Sequence, residues 1–157
     1  MITMKTLKNT QTKRLMFSYG MNTNLAQMAR RCPTAVSLGA SVLPGFRFEF
    51  KQFATVEPDF NNNVDGVLWE IQPSDEASLD ILEGYPVYYN KQMVEVLVNG
   101  EAVTAMTYLM YPEEQRAFPS QSYIDLLSEG YTSHGLDLDQ IYAAVERVYD
   151  EYRLTSY

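Results

Sequence analysis

A chain of 157 residues that is 46% hydrophobic and 20% charged has the length of one domain and enough apolar content to bury a core, which excludes a disordered polypeptide. Its net charge of −8 argues against nucleic acid as a partner, and no apolar run approaches the length that spans a bilayer, so a membrane is not expected either. The single cysteine, Cys32, rules out an intramolecular disulfide and fits a reducing, cytoplasmic setting.

In chain order, residues 1–12 carry positive charge without an apolar h-region or a small-residue cleavage site. They read as a flexible tail ahead of a single domain over residues 13–157. Leu15, Met16 and Phe17 form a short apolar strand that runs into a turn at Gly20. Asn22 or Asn24 then caps a helix through Leu25, Met28 and Ala29 to Arg31, which Cys32-Pro33 stops. Strand, glycine turn and helix N-terminus together aim backbone N–H groups at one spot, an arrangement suited to a carboxylate or a developing oxyanion. The charge distribution points the same way, because residues 1–48 hold seven Lys or Arg and no acid. Lys5, Lys8 and Lys13 on a tail, with Arg30 and Arg31 on a solvated helix face, would account for that bias equally well.

Residues 35–43 are strand-like, Pro44-Gly45 reads as a turn, and residues 46–50 alternate, with Phe46, Phe48 and Phe50 on one face and Arg47 and Glu49 on the other. A short strand over residues 54–56 and a polar surface loop over residues 59–63 lead into a buried strand at residues 67–71. Ser74 is placed to cap the next helix, with Asp75 and Glu76 in its first turn and Leu79 and Leu82 on its apolar face. Gly84 follows as a left-handed C-cap, so Glu83 is the last helical side chain. Residues 89–98 and 101–110 flank Asn99-Gly100, a type I′ hairpin signal. Ser120 caps a helix through Tyr123, Leu126 and Leu127 that stops at Gly130. The last helix starts at Asp137, with a capping box to Gln140 and a staple between Leu136 and Ile141. Its apolar stripe is Leu138, Ile141, Tyr142, Val145, Val148, Tyr149 and Tyr152. Many short strands with little strand–helix alternation favour an α+β fold built on an antiparallel-rich barrel.

Several of these stretches resemble the γ-glutamylcyclotransferases. Tyr19-Gly20-Met21-Asn22 follows the N-terminal strand where that family has Tyr-Gly-Ser-Asn. Gly66-Val67-Leu68-Trp69 matches its Gly-Val-aromatic strand, Leu79-Asp80-Ile81-Leu82-Glu83-Gly84 its Leu-Asp-x-x-Glu-Gly helix end, and Tyr89 a tyrosine ahead of a β-hairpin. Gly45-Phe46-Arg47-Phe48-Glu49-Phe50, Tyr108-Leu109-Met110 and Pro119-Ser120-Gln121-Ser122-Tyr123 extend the match, in order, from about Leu15 to Tyr149. The resemblance implies a small mixed, mainly antiparallel β-barrel of about six strands flanked by helices. It also implies Glu83 as the catalytic acid/base and Tyr19, Gly20, Met21, Asn22 and Tyr89 as substrate-binding residues. The expected partner is a small-molecule γ-glutamyl substrate, with no cofactor and no metal, and the protein is expected as a monomer or homodimer. Met21 departs from the family's serine, which is harmless if that position acts through its main-chain N–H.

Other chemistries find little support in the residues. Cys32 precedes a proline at a helix end and His134 sits in a Ser-His-Gly turn, neither the setting of an activated nucleophile. Asp137 and Asp139 are better explained as helix capping than as metal ligands, and no Walker or dinucleotide glycine loop is present. In a γ-glutamyl amide, by contrast, the α-amine and the γ-carbonyl belong to one molecule, and intramolecular attack supplies effective molarities of about 10⁵ M or more. One carboxylate of raised pKa can take the ammonium proton and return it to the departing nitrogen. Two alternatives stay open: a transferase or lyase removing a γ-glutamyl group in a specialised pathway, and a non-catalytic binding protein on the same fold.

Overall fold

Five strands close into a barrel in the order β1-β3-β2-β4-β5, in a computed structural model that describes residues 13–155. The expected tail over residues 1–12 lies outside the described residues. The strands are β1 (Arg14–Ser18), β2 (Val36–Lys51), β3 (Phe53–Ile71), β4 (Tyr89–Val98) and β5 (Glu101–Met110). Among the described residues four helices flank them: α1 (Leu25–Arg31), α2 (Pro73–Glu83), α3 (Gln121–Ser133) and α4 (Asp139–Thr155). A 3₁₀ turn over Met21–Thr23 joins β1 to α1. Neighbouring strands are antiparallel except at the closing seam, where β1 runs parallel to β5 with Met16 opposite Met106. The barrel is mixed and mainly antiparallel, with five strands rather than about six.

The difference arises at Pro44-Gly45, which is a bulge and not a turn. Pro44 pairs with Asn63 and Phe46 with Pro58, so residues 59–62 stand outside the ladder while both strands continue. The separate strands expected at residues 35–43 and 46–50 are therefore one, as are those at residues 54–56 and 67–71. The polar residues of this excursion are tied to the barrel by Arg47, which donates to Asp59 Oδ2 at 2.7 Å.

Alternation along β1 sends adjacent side chains to different cores. Phe17 packs with Phe48, Leu68 and Val96 and with Tyr131, Ile141 and Val148 from α3 and α4. Met16 packs with Trp69, Met106 and, from α1 and α2, Met28 and Leu79. Burying each such side chain contributes about 1.5–3 kcal/mol, which secures the helices against the barrel. Along α4 the buried residues are Ile141, Ala144 and Val148, whereas Tyr142, Tyr149 and Tyr152 are exposed. The tyrosines of the expected stripe lie to one side of it, and Tyr149 and Tyr152 instead gather around Phe118 with ring centroids at 6.1 and 6.2 Å.

Helix termini follow the capping chemistry with three exceptions. Asn24 and Ser120 accept from the amides of Gln27 and Tyr123, and Gly84 adopts a left-handed conformation. Gln72, not Ser74, is the N-cap of α2, because Pro73 takes the first helical position and Asp75 Oδ2 accepts the Gln72 N–H at 3.0 Å. Helix α3 runs through Gly130 to Ser133. Helix α4 starts at Asp139, and Gln140 makes no capping box, because its side chain bonds both backbone groups of Asp65 and the Tyr131 hydroxyl.

Candidate active site

A cavity of about 630 Å³ opens where β1 gives way to the 3₁₀ turn, and all six residues expected at the site, Tyr19, Gly20, Met21, Asn22, Glu83 and Tyr89, line it. The turn is held in place from behind. Trp69 Nε1 donates to Ser18 Oγ at 3.0 Å, and Ser18 Oγ donates to the carbonyl of Asn22 at 3.1 Å. The carbonyl of Gly20 accepts from both the amide and the hydroxyl of Thr23. The N–H groups of Gly20, Met21 and Asn22 make no hydrogen bond with any described residue, which leaves three adjacent main-chain donors at the cavity wall.

Glu83 reaches this turn from the C-terminal end of α2, projected by the Gly84 cap that ends the helix. Its Oε1 accepts from Asn22 Nδ2 at 3.2 Å. Burial raises its pKa above the ordinary carboxylate value, against the lowering effect of the Asn22 hydrogen bond and the Arg31 charge. A carboxylate so placed keeps its proton to higher pH than a solvated glutamate does.

The tyrosine hydroxyls divide by what their protons do. Tyr19 donates to the carbonyl of Tyr108, and Tyr89 donates to the carbonyl of Ala54 at 2.8 Å. Tyr19 is buried and Tyr89 half-buried, and desolvation raises both pKa values well above the usual phenol value, so both are neutral with their protons engaged by main-chain carbonyls. Tyr123 is the reverse case. It accepts the Ala54 N–H at 3.1 Å, which leaves its own proton available, and burial holds its pKa up at about 12. Tyr123 was legible only as part of a motif and not as a cavity residue.

Arg31 is the larger surprise. In place of a solvated helix face, it turns into the cavity and donates from Nη1 to Asn22 Oδ1 at 2.8 Å, while Arg30 stays exposed. Lys51 also lines the cavity, ion-paired with Glu57. The positive charge expected near the turn is thus supplied in part by Arg31, on the face of α1 opposite to solvent. Cys32 is buried among Met28, Trp69 and Leu79, and burial, reinforced by Asp75, pushes its thiol up to about 12. Nδ1 of His134 bonds the carbonyl of Gly130 at 3.0 Å. Neither residue lines the cavity.

A family model described as gamma-glutamyl cyclotransferase, AIG2-like matches residues 16–125, a span that includes every cavity residue named above. Gamma-glutamylcyclotransferases of Mus musculus and Homo sapiens are 30% and 27% identical to the chain over 139 residues. These matches cover 78% and 80% of this chain and 72% and 73% of the relatives. A solved structure of a gamma-glutamyl cyclotransferase is 27% identical with a TM-score of 0.75, over 87% of this chain and 86% of that one. With barrel, cavity and sequence in agreement, the chain belongs to the gamma-glutamyl cyclotransferase, AIG2-like family.

Proposed function

We propose that this protein cleaves a γ-glutamyl amide by cyclisation to 5-oxoproline with release of the amine or amino acid, without a cofactor, and that Glu83 is the acid/base. The observation that carries this reading is a largely buried carboxylate lining one cavity with the Gly20–Asn22 turn, whose three main-chain N–H groups bond no described residue. In this mechanism the N–H groups of Gly20, Met21 and Asn22 hold the substrate carboxylate or the oxyanion, and the Tyr123 hydroxyl is a further donor. Tyr19 and Tyr89, whose protons are engaged by main-chain carbonyls, accept from the substrate ammonium and help to fold the chain back on itself. Glu83 takes one proton from that ammonium, the freed amine attacks the γ-carbonyl, and Glu83 delivers the proton to the departing nitrogen. The second proton shed by the ring nitrogen leaves on the released amine. Met21 fits this scheme because its contribution is a main-chain donor, for which the side chain is immaterial.

The test is a panel of γ-glutamyl dipeptides and γ-glutamylamines assayed for 5-oxoproline with wild-type protein and Glu83→Gln. Release by the wild type and loss in the variant are expected. A panel on which the wild type releases none would remove the reading and leave a binding role for the cavity.

A further inference from the structure

Arg31 carries only donors, so the Asn22 amide must turn its Oδ1 toward Arg31 Nη1, where the two meet at 2.8 Å. Its Nδ2 then faces Glu83 and donates to Oε1 at 3.2 Å. An amide N–H cannot receive a proton, and an oxygen already accepting from one is the poorer place to put another. The second oxygen is differently placed. Oε2 makes no hydrogen bond with a described residue, and Ser41 Oγ is the one buried side-chain polar atom without a partner among them, so Oε2 is reachable from the cavity that Glu83 lines.

We propose that Arg31 is a positioning residue: by locking the Asn22 amide it confines the proton carried by Glu83 to Oε2, the oxygen that faces the substrate. The proposal rests on the acid/base reading above and adds a residue and an atom to it. An N–H bond of the substrate ammonium breaks as O–H forms on Oε2, and that O–H breaks as N–H forms on the departing nitrogen, so Glu83 returns to the carboxylate. Without Arg31 the Asn22 amide is free to turn over and present Oδ1 to Glu83. A carboxyl facing that oxygen is stabilised in its protonated form, with the proton held on Oε1 and turned away from the substrate. The other groups around Glu83 do not substitute for Arg31. Tyr19, Tyr89 on β4, Tyr108 on β5 and Tyr123 on α3 are all held neutral by burial. Lys51 on β2 is paired with Glu57, and Glu114 is itself an acid.

The experiment compares wild type, Arg31→Met, Arg31→Lys, Asn22→Leu and the Arg31→Met/Asn22→Leu double variant by two readouts. One is the pH profile of kcat and KM on a γ-glutamyl amide that the wild type turns over. The other is the titration of the Glu83 carboxyl by carbon-13 NMR, its signal identified by absence from Glu83→Gln. Arg31→Met should move the titration to higher pH and lower kcat about tenfold on the acid side of the profile, with KM nearly unchanged. Arg31→Lys, which keeps a donor for Oδ1, should restore most of the loss, and Arg31→Met should add little in the Asn22→Leu background. An unmoved titration in Arg31→Met beside an inactive Glu83→Gln would overturn the proposal alone, as would a loss expressed only in KM. Full turnover by Glu83→Gln would remove the acid/base reading and the proposal together.

Discussion

Gly20 and Ala54 face each other so closely that a Cβ placed on Gly20 would stand 3.1 Å from the Cβ of Ala54, with the Tyr123 hydroxyl at 3.3 Å. A side chain at position 20 would therefore crowd both the barrel wall and the Tyr123 hydroxyl. Gly20→Ala should be tolerated with a small shift of Ala54, whereas the branched side chain of Gly20→Val must displace the donor-bearing turn. A displacement near 1 Å costs on the order of 10²-fold in rate, so kcat/KM for Gly20→Val should fall by about that much or more. Met21→Ser should leave turnover within about threefold, since it leaves the main-chain N–H in place. A large gain in Met21→Ser would show that a hydroxyl matters there.

Gly130 makes the corresponding contact from the other side of the turn. Inside a helix, Gly→Ala normally stabilises by about 1 kcal/mol. Here the added Cβ would lie 2.5 Å from Thr23 Oγ1 and 2.7 Å from the Asn24 nitrogen. Gly130→Ala should therefore destabilise the fold by roughly 1–3 kcal/mol in denaturant unfolding, and reduce activity further through the shifted turn. A more stable Gly130→Ala protein would show that α3 does not brace the turn.

Much of this architecture could be read from sequence because it depends on neighbours in the chain. Asn24, Ser120, Gly84 and Asn99-Gly100 act on backbone groups within a few residues, and each does what its chemistry requires. Glycine and proline were less legible, because the same residue serves a turn, a bulge or a close approach. Pro44-Gly45 is a bulge only because residues 59–62 loop out opposite it, and Gly130 is glycine because Thr23 packs on it. Side chains whose purpose is remote were the hardest. Asn22 and Glu83 stand 61 positions apart, and no local pattern could show that Arg31 turns inward to hold the amide between them.

Glu49 is fully buried at the edge of the barrel and receives hydrogen bonds from the guanidinium groups of Arg47, Arg116 and Arg147. Burial alone would raise its pKa, but hydrogen bonds from Arg116 and Arg47 and the charge of Arg147 hold it below the ordinary value. A carboxylate whose folded pKa is depressed contributes stability above its unfolded pKa, near 4.3, and loses it as the pH falls through the folded value. Glu49→Ala leaves three partly buried guanidinium groups without their common partner, and should cost about 3–5 kcal/mol at neutral pH. The difference in Tm between wild type and Glu49→Ala should shrink below about pH 4. A constant difference across that range would show that the loss comes from packing and not from charge.

Glu83 has the opposite sign, which gives Glu83→Gln two separable outcomes. Its folded pKa is raised, with burial the largest cause, so the ionised form destabilises the native state at every pH above the unfolded value near 4.3. Glutamine keeps the shape and can still accept from Asn22 Nδ2 without carrying the charge. Glu83→Gln should therefore have a Tm equal to or above that of the wild type at neutral pH, with the gap closing as both proteins are taken below about pH 4. Activity should move the other way. The wild-type kcat should rise with pH as Glu83 ionises through its raised pKa, and Glu83→Gln should lose that limb along with roughly 10² to 10⁴ of kcat, while 5-oxoproline binding survives. A surface carboxylate with no part in the chemistry would change neither quantity. Near-normal turnover by a correctly folded Glu83→Gln protein, with Tm unchanged across the pH range, would show that the carboxylate neither bears a burial cost nor moves a proton.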